Sequence, residues 1–142
     1  VACLTPRSRG QLRLRSVDPA AAPVIDHAYL SDPDGHDIGV LRDGVIAARR
    51  MLAADPLAEL VTELEPGPGG DGDTAIRQGV IHYWHPVGTC AMGEVTDERG
   101  RVAGVEGLVV ADASLMPRTV RATTNLPTVV VGDVIASSLV AG

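Results

Sequence analysis

Phenylalanine and lysine are both absent from these 142 residues, and aromatic side chains amount to 2%: Tyr29, Tyr83 and Trp84. A surface that stacks nucleic-acid bases needs more of them, and a net charge of −6 repels phosphate. Nucleic acid is therefore excluded as a partner. No apolar run reaches the about 18 residues that a membrane-spanning helix requires, so no membrane span is expected. Two cysteines, Cys3 and Cys90, are too few for a disulfide scaffold in a chain of this length, which predicts a reducing, cytoplasmic setting. No internal repeat is visible. Val1 opens the chain in place of Met, and the apolar stretch Val1–Leu4 is far too short for a signal peptide. A piece of a longer protein is expected. What is present is 45% hydrophobic and 21% charged residues, the make-up of a folded domain. The twelve basic side chains are all Arg, a bias that fits a GC-rich bacterial genome.

In the first half, Leu12 and Leu14 alternate with Arg13 and Arg15 inside Gly10–Val17, the pattern of a half-exposed strand. Asp18-Pro19 ends it, and Val24-Ile25-Asp26 forms a second short strand. Ser31–Gly35 is turn chemistry, after which Asp37 is a plausible helix N-cap. Ile38, Leu41, Val45, Ala48 and Leu52 share one helical face, Arg42, Arg49 and Arg50 lie off it, and Pro56 closes the helix. A shorter helical stretch is expected over Leu57–Leu64, a loop over Glu65–Asp73, and a short helix capped by Asp73 through Ile81.

The second half differs in character. Val95–Gly107 is polar and hairpin-like. Leu108–Ala111 is a continuous apolar run that predicts a strand buried on both faces. Pro127–Ala141 is apolar nearly all round and predicts a buried helix. His85 is followed by Pro86, which keeps its backbone extended, and Gly88 permits a tight turn or close approach to a ligand. An imidazole so held suits proton abstraction near neutral pH, while a structural histidine fits the same local features. His82, His85 and Cys90 do not have a usual zinc spacing, and Pro86 keeps them off one helix face; no metal site is expected. A Ser–His–Asp triad lacks the G-x-S-x-G elbow that exposes its serine. Asn125 could cap the last helix, or the free N–H groups there could receive negative charge, with Pro127 placed where its missing N–H costs little. Asp112-Ala113-Ser114 stands where ligands of open α/β sheets bind, beyond a strand's carboxyl end, and also reads as a turn.

Together, H-P-V-G-T-C-A-M-G from His85, G-V-E-G-L-V-V-A-D-A-S-L-M-P from Gly104 and T-N-L-P-T from Thr124 resemble the C-terminal region of the glucose–methanol–choline (GMC) flavoprotein oxidoreductases. The segments Pro6–Pro19 and Pro23–Asp34 extend the resemblance over nearly the whole chain. It implies an α/β (α+β) architecture. Residues 1–81 would be part of a substrate domain built on an antiparallel sheet with helices, and residues 82–142 the closing strand and helix of an FAD-binding domain. It implies FAD as cofactor, a small alcohol as substrate, and a choline dehydrogenase-like oxidation of a CH–OH group. His85 would take the alcohol proton as hydride passes to the flavin. Asp112 and Ala113 would lie along the ribityl–pyrophosphate region, and Asn125, Leu126, Pro127 and Thr128 beneath the isoalloxazine ring.

Two departures stand out. Many relatives read N-x-N-x-P-T, and in that register Thr123 occupies the second catalytic position while Asn125 matches the flavin-side Asn. A threonine hydroxyl is a poor base, so either Asn125 takes the role in its place or His85 works with weaker help. The dinucleotide fingerprint G-x-G-x-x-G after a strand is missing, so most of the FAD site is expected from an N-terminal portion, in the same protein or as a separate chain. A non-catalytic binding module of the same fold and an FAD-containing hydroxynitrile lyase are the alternatives.

Overall fold

The structure, a computed structural model, describes residues 1–64 and 70–141. The chain divides into two compact units, Val1–Ile81 and His82–Gly142.

The first unit opens with a two-stranded antiparallel sheet, β1 (Gln11–Arg13) and β2 (Val24–Asp26), with Leu12 opposite Ile25. Both strands fall where the alternation and the β-branched residues place them. Helix α1 (His36–Leu52) follows. It buries Ile38, half-buries Leu41, Val45 and Ala48, and leaves Leu52 at its exposed end.

Asp37 is not the N-cap. Gly35 takes that position in a left-handed conformation, and the Asp32 carboxylate accepts from the amides of His36 (2.5 Å) and Asp37 (3.3 Å). Asp37 lies inside the first turn, 3% exposed. Its carboxylate accepts from the amides of Arg7 (2.8 Å) and Ser8 (2.9 Å) and from the Ser8 hydroxyl (2.6 Å). The segment P-R-S is thereby clasped to the start of α1. Burial works to raise the Asp37 pKa, but the hydrogen bonds from Ser8 and Arg7, helped by His36, bring it below the ordinary carboxyl range.

Helical structure over Leu57–Leu64 is confined to one 3₁₀ turn, Leu57–Glu59; Leu60 and Leu64 are exposed, so no packing rewards a longer helix. Of the loop expected over Glu65–Asp73, residues 65–69 lie outside the described residues. Its end is helical, because Asp71 rather than Asp73 caps α2 (Gly72–Gly79) by accepting from the Asp73 amide. Asp73 instead forms a two-point ion pair with Arg42 of α1, and Arg49 pairs with Glu63 in the same way.

The second unit holds a 3₁₀ turn, Ala113–Leu115, and helix α3 (Asn125–Val140). Its small core is Ala91, Leu115, Met116 and Ile135, with buried Thr96 and Thr124. The amides of Cys90 and Met92 donate to the carbonyls of Ser114 and Leu115, each at 3.0 Å, which pins the chain beyond His85 to the 3₁₀ turn. The hairpin-like stretch is present as isolated bridges, Thr96 with Val102 and Arg101 with Val109.

Leu108–Ala111 is not a strand buried on both faces. It makes the single Arg101–Val109 bridge and Leu108 is 49% exposed. Double burial needs sheet neighbours and two covering layers, which these residues do not supply by themselves. Within these 142 residues helix α3 is covered on one side only. Ile135 is buried, but Leu126, Val129, Val130, Val134 and Val140 are exposed. A helix apolar on every side presents one face to Leu115 and leaves the rest uncovered. Among the described residues no helix is long and apolar enough to cross a membrane.

Candidate functional site

His85 is reached through an unusual piece of backbone. Trp84 before it has φ +59°, a region that bulky residues rarely occupy, and Pro86 restrains it from the other side. Three residues on, Gly88 has φ +87°, and a Cβ there would lie 3.3 Å from the Met116 carbonyl. The chain can make this turn against the 3₁₀ segment because no side chain intervenes.

The imidazole is fixed on two sides. The Thr124 hydroxyl lies 2.7 Å from Nδ1, and the Tyr83 ring meets the imidazole edge-on, centroids 5.3 Å apart at 77°. Nε2 has no hydrogen-bond partner among the described residues. The ring is half-buried, so Nε2 is the nitrogen left for a ligand.

Thr124 occupies the N-cap position of α3 yet makes no side-chain cap. The first-turn amides of α3 that Thr124 leaves uncapped, with the helix dipole behind them, favour a polar or anionic group. Asn125 is exposed, and its side-chain amide has no partner among the described residues. Leu126 is exposed beside it, Pro127 and Thr128 are half-buried, and the Thr128 hydroxyl is tied back to the Thr124 carbonyl at 2.6 Å. On the neighbouring 3₁₀ turn, Asp112 accepts from the Ser114 amide (2.8 Å) and hydroxyl through one carboxylate oxygen, and Ala113 begins the turn. This turn packs against α3, and α3 runs close to Ala111 at Gly132.

His85 and the start of α3 thus come together, as the sequence led us to expect, but through an unforeseen residue. Thr123 is exposed; its neighbour Thr124 is 6% exposed and makes the contact. Two adjacent threonines look alike in sequence, and only the helical phase at the head of α3 decides which one turns inward. A hollow of about 700 Å³ in this unit, lined by Val102, Val105, Leu108, Val109 and Leu139 among others, includes none of the expected site residues. Among the described residues one group has metal-ligand geometry, Cys3, His36 and Asp37. Its carboxylate already accepts from the Arg7 and Ser8 amides, the Ser8 hydroxyl and, at 4.0 Å, the Cys3 thiol, whose pKa burial raises. His82, His85 and Cys90 form no such group.

A family model described as GMC oxidoreductase matches residues 6–132. Choline oxidase of Arthrobacter globiformis is 41% identical over 138 residues, which cover 89% of this chain and 25% of that protein. An alcohol dehydrogenase [acceptor] of Pseudomonas putida is 37% identical over 146 residues, 96% of this chain and 26% of that protein. Among solved structures, pyridoxine 4-oxidase from Mesorbium loti superposes with a TM-score of 0.86 at 30% identity, covering 98% of this chain and 28% of that one. A fungal aryl-alcohol oxidase superposes with a TM-score of 0.75 at 33% identity, covering 94% and 24%. The chain therefore spans only 25–28% of the first three of these relatives and 24% of the last. With a matching model over most of its length and the small antiparallel sheet and three helices described above, the chain belongs to the GMC oxidoreductase family, whose C-terminal region it carries.

Proposed function

We propose that this chain is the C-terminal part of an FAD-dependent oxidoreductase that oxidises a CH–OH group, with His85 as the base. In this assignment Val1–Ile81 belongs to the substrate domain and His82–Gly142 to the FAD-binding domain. The remaining polypeptide, as part of the same protein or as a separate chain, supplies the dinucleotide fingerprint. The two unpaired cysteines suit a reducing cytoplasm.

The observation that carries the proposal is the imidazole tied through Nδ1 to the head of α3 with Nε2 unengaged. A base needs one nitrogen held and the other open. The uncapped first turn of α3 and the unpartnered Asn125 amide fit a group that gains negative charge on reduction. Asn125, Leu126, Pro127 and Thr128 would hold the FAD ring, and Asp112 and Ala113 its linking chain. FAD, when bound, supplies the acceptor for a hydride. His85 Nε2 takes the proton of the substrate hydroxyl, and the Thr124 contact keeps the ring from turning away. Thr123, exposed beside it, and Asn125 are the further candidates for contact with the small alcohol.

The test uses the complete, flavin-loaded protein. Alcohol added without oxygen is expected to bleach the flavin, which a hydroxynitrile lyase or a non-catalytic module would not do. His85→Ala is expected to lower turnover by roughly 10²–10⁴-fold, the range for loss of a general base, with flavin still bound. Undiminished turnover would remove His85 from the role.

A further inference from the structure

A threonine at the head of a helix ordinarily turns its hydroxyl back onto the amides of its own first turn. Thr124 does not. Its backbone is helical (φ −79°, ψ −9°) and it forms no side-chain cap. It is held in place by its carbonyl, which accepts from the Thr128 amide at 2.9 Å and the Thr128 hydroxyl at 2.6 Å. The Thr124 hydroxyl, in a residue 6% exposed, is directed instead to His85 Nδ1, 39 positions earlier in the chain.

We propose that Thr124 is a positioning residue for His85, its hydroxyl accepting the Nδ1 proton so that the neutral ring keeps its electron pair on Nε2. The proposal rests on His85 being the base. The tautomer of a histidine is set by the hydrogen bond made at its other nitrogen, and a hydroxyl can accept as well as donate. Acceptance is the arrangement that serves a base. Before proton uptake Nδ1–H points at the hydroxyl oxygen. After Nε2 takes the substrate proton, Nδ1–H still points there. One hydrogen bond fits both states, and nothing needs to turn over during the reaction. Had the hydroxyl donated to Nδ1, Nε2 would carry the proton and offer no electron pair.

The experiment compares wild type, Thr124→Val, Thr124→Ser and His85→Gln in the complete flavin-loaded protein. It reads kcat and KM together with the ¹⁵N signals of labelled imidazoles, His85 being assigned by its loss in His85→Gln. The wild-type signal is expected to be that of the Nδ1–H tautomer. Thr124→Val removes the acceptor, so the Nε2–H form should grow in and kcat should fall roughly 10- to 100-fold, the cost of orphaning a buried donor, with KM little changed. Thr124→Ser keeps the oxygen and should restore both the signal and most of kcat. A wild-type Nε2–H tautomer, a fully active Thr124→Val, or a Thr124→Ser as impaired as Thr124→Val would each overturn the proposal. If Thr124→Val does not load flavin, the wild-type tautomer and Thr124→Ser still decide. A fully active His85→Gln would instead overturn the assignment of the base itself, which separates the two failures.

Discussion

Replacing Asp37 by Ala releases three short hydrogen bonds at once, besides the longer contact from the Cys3 thiol. The amides of Arg7 and Ser8 and the Ser8 hydroxyl, at 2.6–2.9 Å from the carboxylate, lose their acceptor. Hydrogen bonds to a charged acceptor contribute about 1.5–3 kcal/mol each. Arg7 is exposed, so its freed amide finds water and costs little, which leaves the two Ser8 bonds, each at the lower end of that range. A net loss of about 3 kcal/mol follows, which should raise the opening equilibrium of this segment, and so its amide exchange rate, roughly 100-fold. Hydrogen exchange read by mass spectrometry on the peptide holding Arg7 and Ser8, within the complete protein, measures it directly. Asp37→Asn keeps one oxygen but turns an N–H₂ toward donors, so it should also exchange faster than wild type. Exchange in Asp37→Ala within about threefold of wild type would refute the reasoning, because a local opening that cheap means the carboxylate is not what holds the segment. The same bonds set a pH dependence. The folded carboxyl titrates below its ordinary value of 3.8, so its stabilisation is fully present above that value and is lost as pH falls through the lower, folded one. Protection of the peptide should therefore persist at neutral pH and collapse only in strong acid.

Two glycines should respond to the same substitution in opposite directions. Gly100 has φ +71° and a Cβ there would stand 2.2 Å from the Val110 carbonyl, so Gly100→Ala should destabilise by about 1–3 kcal/mol. Gly39 lies within α1 with nothing in reach of a Cβ, so Gly39→Ala should stabilise by about 0.5–1 kcal/mol. Thermal unfolding of the two variants checks both signs. Asn125→Ala should lower the flavin-to-protein absorbance ratio after gel filtration or slow flavin reduction; if neither changes, the role given to the head of α3 is wrong.

Regular elements were legible where a single period repeats. The i, i+3, i+4 spacing from Ile38 to Leu52 located α1, and β1 and β2 lie inside the segments that alternation and turn residues marked. The ends were less legible, because several acidic residues compete for each cap. Asp32 serves the start of α1 and Asp71 that of α2, leaving Asp37 and Asp73 for partners far away in sequence. Leu108–Ala111 and α3 keep apolar side chains exposed within a chain that spans about a quarter of its relatives, since apolar sequence reports what an element requires and not what surrounds it. In the site, His85 was singled out by the family motif, since the Pro and Gly around it fit a structural histidine as well. Thr124 was not, because its position depends on where α3 begins, a matter of one residue that composition does not carry.

A ring and a helix joined by one short hydrogen bond do not drift independently. Because Thr124 belongs to the first turn of α3, every contact that seats the shaft of that helix also seats the imidazole. Trimming Ile135, which is buried about three turns farther along, would let the whole rod settle differently. The aim of the imidazole would then shift without any change to the ring or to its immediate neighbours.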